Sequence, residues 1–135
     1  MTDQEKSAAD HWATYWEEGR AQGEVYTRGD GQGNPALKAF WKGRLKDSAG
    51  PRLDIACGAA SVLRHGPAES LDVALDVAPA ALRKLETETP SLKGVAGDAA
   101  NLPFGEGAFK HVASQFGLEY AGTEAFAEAI AASCP

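Results

Sequence analysis

Leu53-Asp54-Ile55-Ala56-Cys57-Gly58-Ala59-Ala60-Ser61 is a short apolar run closed by an acid and followed by a string of very small residues. Such a run suits a buried strand, and the small residues suit a tight turn out of it. With nothing larger than a methyl at Ala56, Gly58, Ala59 and Ala60, a nucleotide-type ligand can lie against the backbone of the turn. Ser61 then stands where it can cap a following helix. Taken alone, the same residues also make an ordinary strand-to-helix turn.

The next segments decide between these readings. Eighteen residues beyond Gly58, Asp76 closes a second apolar run, Leu71-Asp72-Val73-Ala74-Leu75-Asp76. An acid ending the second strand of a βαβ unit lies beside the first turn, where it can accept hydrogen bonds from both hydroxyls of a ribose. A third run, Leu92 to Ala96, leads into Gly97-Asp98-Ala99. The carboxyl ends of strands in an open parallel sheet share one crevice, so Asp54, Asp76 and Asp98 are expected to converge on a single ligand. Each acid in isolation also reads as a loop acid or a helix cap.

These segments resemble the class I S-adenosylmethionine-dependent methyltransferases, in particular the small-molecule branch with a compact methyltransferase domain. Leu53 to Gly58 is similar to the family's glycine-rich first motif, Leu75-Asp76-Val77-Ala78-Pro79 to its second, and Gly97-Asp98-Ala99 with Leu102-Pro103-Phe104 to its third. Phe109 to Tyr120 looks like the fourth strand and the loop after it. The resemblance covers about residues 50–132 and implies an α/β, Rossmann-like parallel sheet, the first four strands of a seven-stranded fold. It implies that the backbone around Ala56 and Gly58 lines the methionine part of S-adenosylmethionine, with Asp54 near its amino group. Asp76 would hold the ribose hydroxyls and Val77 would lie along the adenine. Asp98 and the Ala99 amide would bond the adenine edge, and Gln115 and Phe116 would flank the sulfonium. Alanines stand at Ala56 and Ala60 where the family usually has glycine. Members of the family continue through three more strands, so this chain is expected to be a shortened one. Its fourth strand would then be an edge open to self-association.

Outward from the core motifs, Pro79 is expected to open a helix through about Glu86, with Leu82 and Leu85 inward and Thr87 to Pro90 closing it. Asn101 to Gly107 reads as a loop whose Leu102 and Phe104 tuck beneath the adenine side. Thr123 reads as the cap of a last helix, Glu124 to Ala132, with Phe126 and Ile130 on one face. Before the first strand, residues 1–48 read as a helical cover over the cofactor-binding core, 49–135. Trp12, Tyr15 and Trp16 make one aromatic face. Asn34 and Pro35 start a second helix that repeats Leu37, Phe40, Trp41 and Leu45 on one side. Both stripes read first as core packing against the sheet. Between them, Gly23 to Gly33 is glycine-rich and polar. It reads either as a connector or as a lid that grips substrate through Tyr26 or Arg28.

The chain has 135 residues, enough for one domain that buries about two-thirds of its unfolded surface. Nineteen acids against thirteen bases give a formal charge of −6, which argues against a nucleic-acid backbone as the main partner. Cys57 and Cys134 are too few for a disulfide framework, and the histidines lack metal-ligand spacing, so no metal is expected. Cys57 reads as a small buried hydrophobe. The polar, acidic start from Thr2 to Asp10 does not read as a signal peptide, and no apolar run is long enough to span a membrane; a cytoplasmic location is the expectation.

The expected activity is methyl transfer to a small-molecule acceptor by direct in-line displacement. In such a reaction the protein mainly aligns donor and acceptor and excludes water. Glu119 and Tyr120, just past the fourth strand, are placed to meet the acceptor, and Tyr120 is the candidate taken forward. A non-catalytic S-adenosylmethionine-binding or interaction module is the alternative. A dinucleotide oxidoreductase would want a glycine pattern that the Ala56 to Ala60 turn does not supply.

Overall fold

Short runs centred on apolar residues form the four strands of the parallel sheet that carries this α/β, Rossmann-like fold. The computed structural model describes residues 3–17, 34–67 and 71–133. The strands are β1 (Arg52–Ile55), β2 (Asp72–Asp76), β3 (Lys93–Ala96) and β4 (His111–Ala113). They lie in the order β3-β2-β1-β4, and all three pairings are parallel. The chain runs outward from β1 to β3 and then returns to β4 on the other side of β1. That reversal opens a crevice beyond the strands' carboxyl ends, beside β1.

The two faces of the sheet bury different sets. Leu53, Ile55 and Leu75 pack with Leu102, Phe109 and the helix α4 (Thr123–Ala132) through Ala125 and Ala132. On the other face Ala74 meets Leu45, Leu63, Leu85 and Leu92. Two helices cover that second face: α2 (Pro35–Leu45) and α3 (Pro79–Glu88). Asn34 caps α2 as expected, its Oδ1 accepting from the amides of Ala36 at 3.0 Å and Leu37 at 3.3 Å. In α3, Pro79 takes the first turn and Leu82 and Leu85 are buried. The helix α1 (Asp3–Glu17) sets Trp16 against Ala59, Ala78, Ala80 and Ala81, so it sits over the first turn and the start of α3. Among the described residues no helix is long and apolar enough to cross a membrane.

At the amino ends of the strands, Arg52 is completely buried with Asp72 opposite it. Its Nε donates to Asp72 Oδ1 at 2.8 Å and its Nη2 to Asp72 Oδ2 at 2.5 Å. Nη1 reaches Ser48 Oγ at 2.8 Å, and Nη2 also reaches the Pro67 carbonyl at 2.6 Å. One guanidinium therefore ties together β1, β2 and the two segments that enter and leave them.

Three expectations are corrected. The connection from β1 to β2 holds, among the described residues, a single 3-10 turn (Val62–His65) in place of a full helix. Pro67 forces extended backbone on its neighbour and has no N–H to offer, so the turn ends at Gly66. Thr123 is not the cap of α4: that position is Gly122, at φ 92°, and no side chain caps the helix. Phe40 is 49% exposed and does not pack on the sheet; the Arg44 guanidinium lies 5.3 Å from its ring centre. Leu102 and Phe104 pack, as a loop tucked against the sheet, into the cluster that holds Ala99, with Phe104 edge-on to Phe109.

β4 is an edge strand, as the family order implies. Just before it, Phe109 and Ser133 form a lone parallel bridge, with the Phe109 amide donating to the Ala132 carbonyl at 3.0 Å. The segment leaving α4 thus comes alongside the outer side of the sheet.

Candidate functional site

The end of β1 brings a carboxylate into the crevice. Asp54 is buried, and its Oδ2 accepts from Ser61 Oγ at 2.7 Å and from the Val62 amide at 2.9 Å. Among the described residues its Oδ1 has no partner. Burial pushes its pKa from 3.8 up to about 7; the Ser61 and Val62 hydrogen bonds oppose that rise, Asp76 adds to it and Arg64 draws it down. Ser61 does cap the short turn, its Oγ also accepting from the Leu63 amide at 3.1 Å.

A definite pH dependence follows. Between about pH 4 and 7 the folded chain holds a proton on Asp54 that the unfolded chain has released. Stability therefore falls as pH rises through that window, by at most about 1.4 kcal/mol per pH unit. Burial raises Asp76 in the same direction. Denaturant titrations from pH 4 to 7.5 on the unaltered chain and on Asp54→Asn are expected to show a shallower fall in the variant. Parallel slopes would contradict the assignment.

The turn after β1 is held open by backbone geometry. Ala56 takes φ 57° and Gly58 φ 60°, both left-handed, and the alanine accepts the strain that the family's glycine avoids. A Cβ on Gly58 would lie 2.6 Å from the Trp16 ring, so the indole rests directly on the glycine. Cys57 is half-buried, donates from Sγ to the Gly58 carbonyl at 3.2 Å, and has its thiol pushed up by burial, which keeps it neutral.

The other strand ends complete the ring. Asp76 Oδ2 accepts from the Gly58 amide at 2.8 Å and Oδ1 from the Ala78 amide at 2.9 Å, so this carboxylate joins the first turn to the start of α3. Asp98 Oδ1 accepts from the Ala100 amide at 2.9 Å. After β4, Ser114 Oγ donates to the Ile55 carbonyl at 2.7 Å, and Gly117 packs so closely on Ala56 that a Cβ there would clash at 2.5 Å. Phe116 stands in left-handed backbone at φ 55° and is 41% exposed. Trp41 of α2 donates from Nε1 to Gln115 Oε1 at 2.5 Å.

The strand ends, the first turn and the loop after β4 line a cavity of about 710 Å³. All nine residues assigned to the cofactor from the sequence border it: Asp54, Ala56, Gly58, Asp76, Val77, Asp98, Ala99, Gln115 and Phe116. So does Tyr120, whereas Tyr26 and Arg28 lie outside the described residues. Asp54, Asp76 and Asp98 do converge.

Sequence reasoning undervalued Trp12 and Trp16, which it assigned to packing. They pack and also wall the cavity. Trp12 meets Tyr120 edge-on at 5.7 Å, and Lys84 Nζ donates to the Trp16 carbonyl at 2.8 Å, pinning the end of α1 to α3. The available signal was the aromatic face itself: a sheet crevice needs a cover, and α1 presents three rings. Glu124, at the start of α4, also borders the cavity and was not singled out.

Residues 53–133 match the methyltransferase domain family. Among solved structures, the chain is similar to one from the complex containing the Trm112 methyltransferase activator of Haloferax volcanii, with 20% identity and a TM-score of 0.73 over 92% of this chain and 56% of that one. It is similar to phosphoethanolamine N-methyltransferase 1 of Haemonchus contortus, solved with phosphoethanolamine and S-adenosylhomocysteine, with 16% identity and a TM-score of 0.66 over 99% of this chain and 31% of that one. An S-adenosylmethionine-dependent methyltransferase from Mesorhizobium loti gives 23% identity and a TM-score of 0.58 over 75% and 48%. The chain spans about half the length of the first structures it resembles. No curated protein matches.

Proposed function

The chain belongs to the methyltransferase domain family, whose methyl donor is S-adenosylmethionine, and from that premise we propose that its cavity binds this cofactor and presents the methyl group to a small-molecule acceptor. The observation that carries the reading is the convergence of three strand-end carboxylates on a cavity floored by the first turn. In this reading residues 49–135 bind the cofactor and residues 1–48 cover it.

The residues present fit the cofactor. Asp54 Oδ1 is a buried oxygen without a partner, suited to the cationic amino group of the methionine end. Asp76 accepts from the Gly58 and Ala78 amides, with the Val77 amide also favouring its charged form, and an ionised carboxylate offers about four acceptor sites, so capacity remains for a ribose hydroxyl. Val77 borders the adenine position, with Asp98 and the Ala99 amide at its polar edge. The bound cofactor supplies a methyl group already activated on sulfonium. The protein's part is then to align the acceptor and exclude water. Trp12, Phe116 and Tyr120 form the aromatic wall against which a small acceptor would rest.

Calorimetric titration with S-adenosylmethionine tests the reading. The unaltered chain is expected to bind, and Asp76→Ala to weaken binding by about a hundredfold, since the charge-assisted bond to the ribose is removed and the Gly58 amide loses its acceptor. No heat with the unaltered chain would sink the proposal. Binding without methyl transfer to any acceptor tried would instead favour a cofactor-binding module.

A further inference from the structure

The charged side chains lining the cavity, among the described residues, are all acids: Asp54, Asp76, Asp98 and Glu124. The cofactor assigned above nevertheless carries a carboxylate on the same carbon as its amino group. That carboxylate needs N–H donors close to Asp54, whose orphan oxygen is matched to the amino group. The loop after β4 is tied there, because Ser114 Oγ bonds the carbonyl of Ile55, the residue that follows Asp54, and Gly117 packs on Ala56. Gln115 lies between these two anchors.

The orientation of the Gln115 amide is decided by chemistry. An indole N–H can only donate, so the atom facing Trp41 Nε1 at 2.5 Å must be the amide oxygen. Trp41 does not border the cavity, whereas Gln115 does. With its oxygen held by Trp41, the side chain has its N–H donors left for the cavity.

We infer that Gln115 binds the carboxylate of the cofactor's methionine end through its side-chain N–H, and that Trp41 is the positioning residue that sets the amide for this task. This rests on the cofactor reading above. It gives the second helix a role in ligand recognition through a contact that spans 74 residues of sequence. Without Trp41 the amide is free to turn and to offer its oxygen to an anion, which repels it.

Calorimetry with two ligands provides the test: S-adenosylhomocysteine, which has the amino-acid end, and methylthioadenosine, which keeps the nucleoside and sulfur but lacks that end. Trp41→Phe retains a ring and loses the N–H. It is expected to weaken S-adenosylhomocysteine by about tenfold while leaving methylthioadenosine within about twofold. Gln115→Glu keeps an acceptor for Trp41 but sets a negative charge against the carboxylate, and its selective loss is expected to be larger. Equal losses for both ligands, or undiminished S-adenosylhomocysteine affinity in both variants, would overturn the assignment to Gln115. If the unaltered chain takes up neither ligand, the cofactor reading itself falls and the inference with it.

Discussion

Replacement of Arg52 by alanine is expected to destabilise the fold by about 3–5 kcal/mol, a large part of the about 5–15 kcal/mol that holds a typical domain together. The physical reason is the charge left behind. Asp72 is buried and loses both guanidinium bonds, while the Ser48 hydroxyl and the Pro67 carbonyl lose their shared donor. Urea denaturation followed by circular dichroism reads the effect directly, and a loss below about 1 kcal/mol would show that water replaces the guanidinium. A paired change, Arg52→Met with Asp72→Leu, is expected to recover most of the stability, because removing both charges leaves neither of them stranded.

The second large effect is expected at Gly58. Gly58→Val puts a β-branched side chain at φ 60° and drives its Cβ to within 2.6 Å of the Trp16 ring. Backbone strain and overpacking together cost about 2–4 kcal/mol. The ring cannot simply swing away, since Trp16 is buried and its carbonyl is fixed by Lys84. Cofactor affinity is expected to fall by more than about a hundredfold as the valine fills the floor of the cavity and disturbs the amide that Asp76 receives. Unchanged affinity in a folded variant would mean that the ligand does not approach this turn.

The strands and their acids were legible because each is a local pattern: an apolar run, then a carboxylate, then small residues. Leu53 to Ser61 carried the first turn, Asp76 and Asp98 stood at the strand ends where the crevice forms, and Asn34-Pro35 announced α2. What stayed hidden depends on partners far away in the chain. Nothing local to Arg52 or Asp72 says that they pair, since each opens its own strand and 20 residues of chain separate them. The Trp41–Gln115 bond likewise joins a helix face to a loop that only the fold brings together. The short turn after β1 was missed because Ser61 announces a helix without specifying its length, and the Gly66-Pro67 stop outweighs it. Trp12 and Trp16 read as packing because an aromatic face looks the same whether it meets a core or roofs a cavity.

The placement of α1 and α2 has an optical consequence. The chain has three tryptophans: Trp12 and Trp16 border the cavity, and Trp41 is bonded to a residue that does. Every indole in the chain is therefore at the cavity or one hydrogen bond from it, and none sits at a distance to contribute a constant background. The intrinsic emission of this protein is a gauge of cavity occupancy, readable without a label, and Trp41→Phe subtracts the one fluorophore that views the cavity through Gln115.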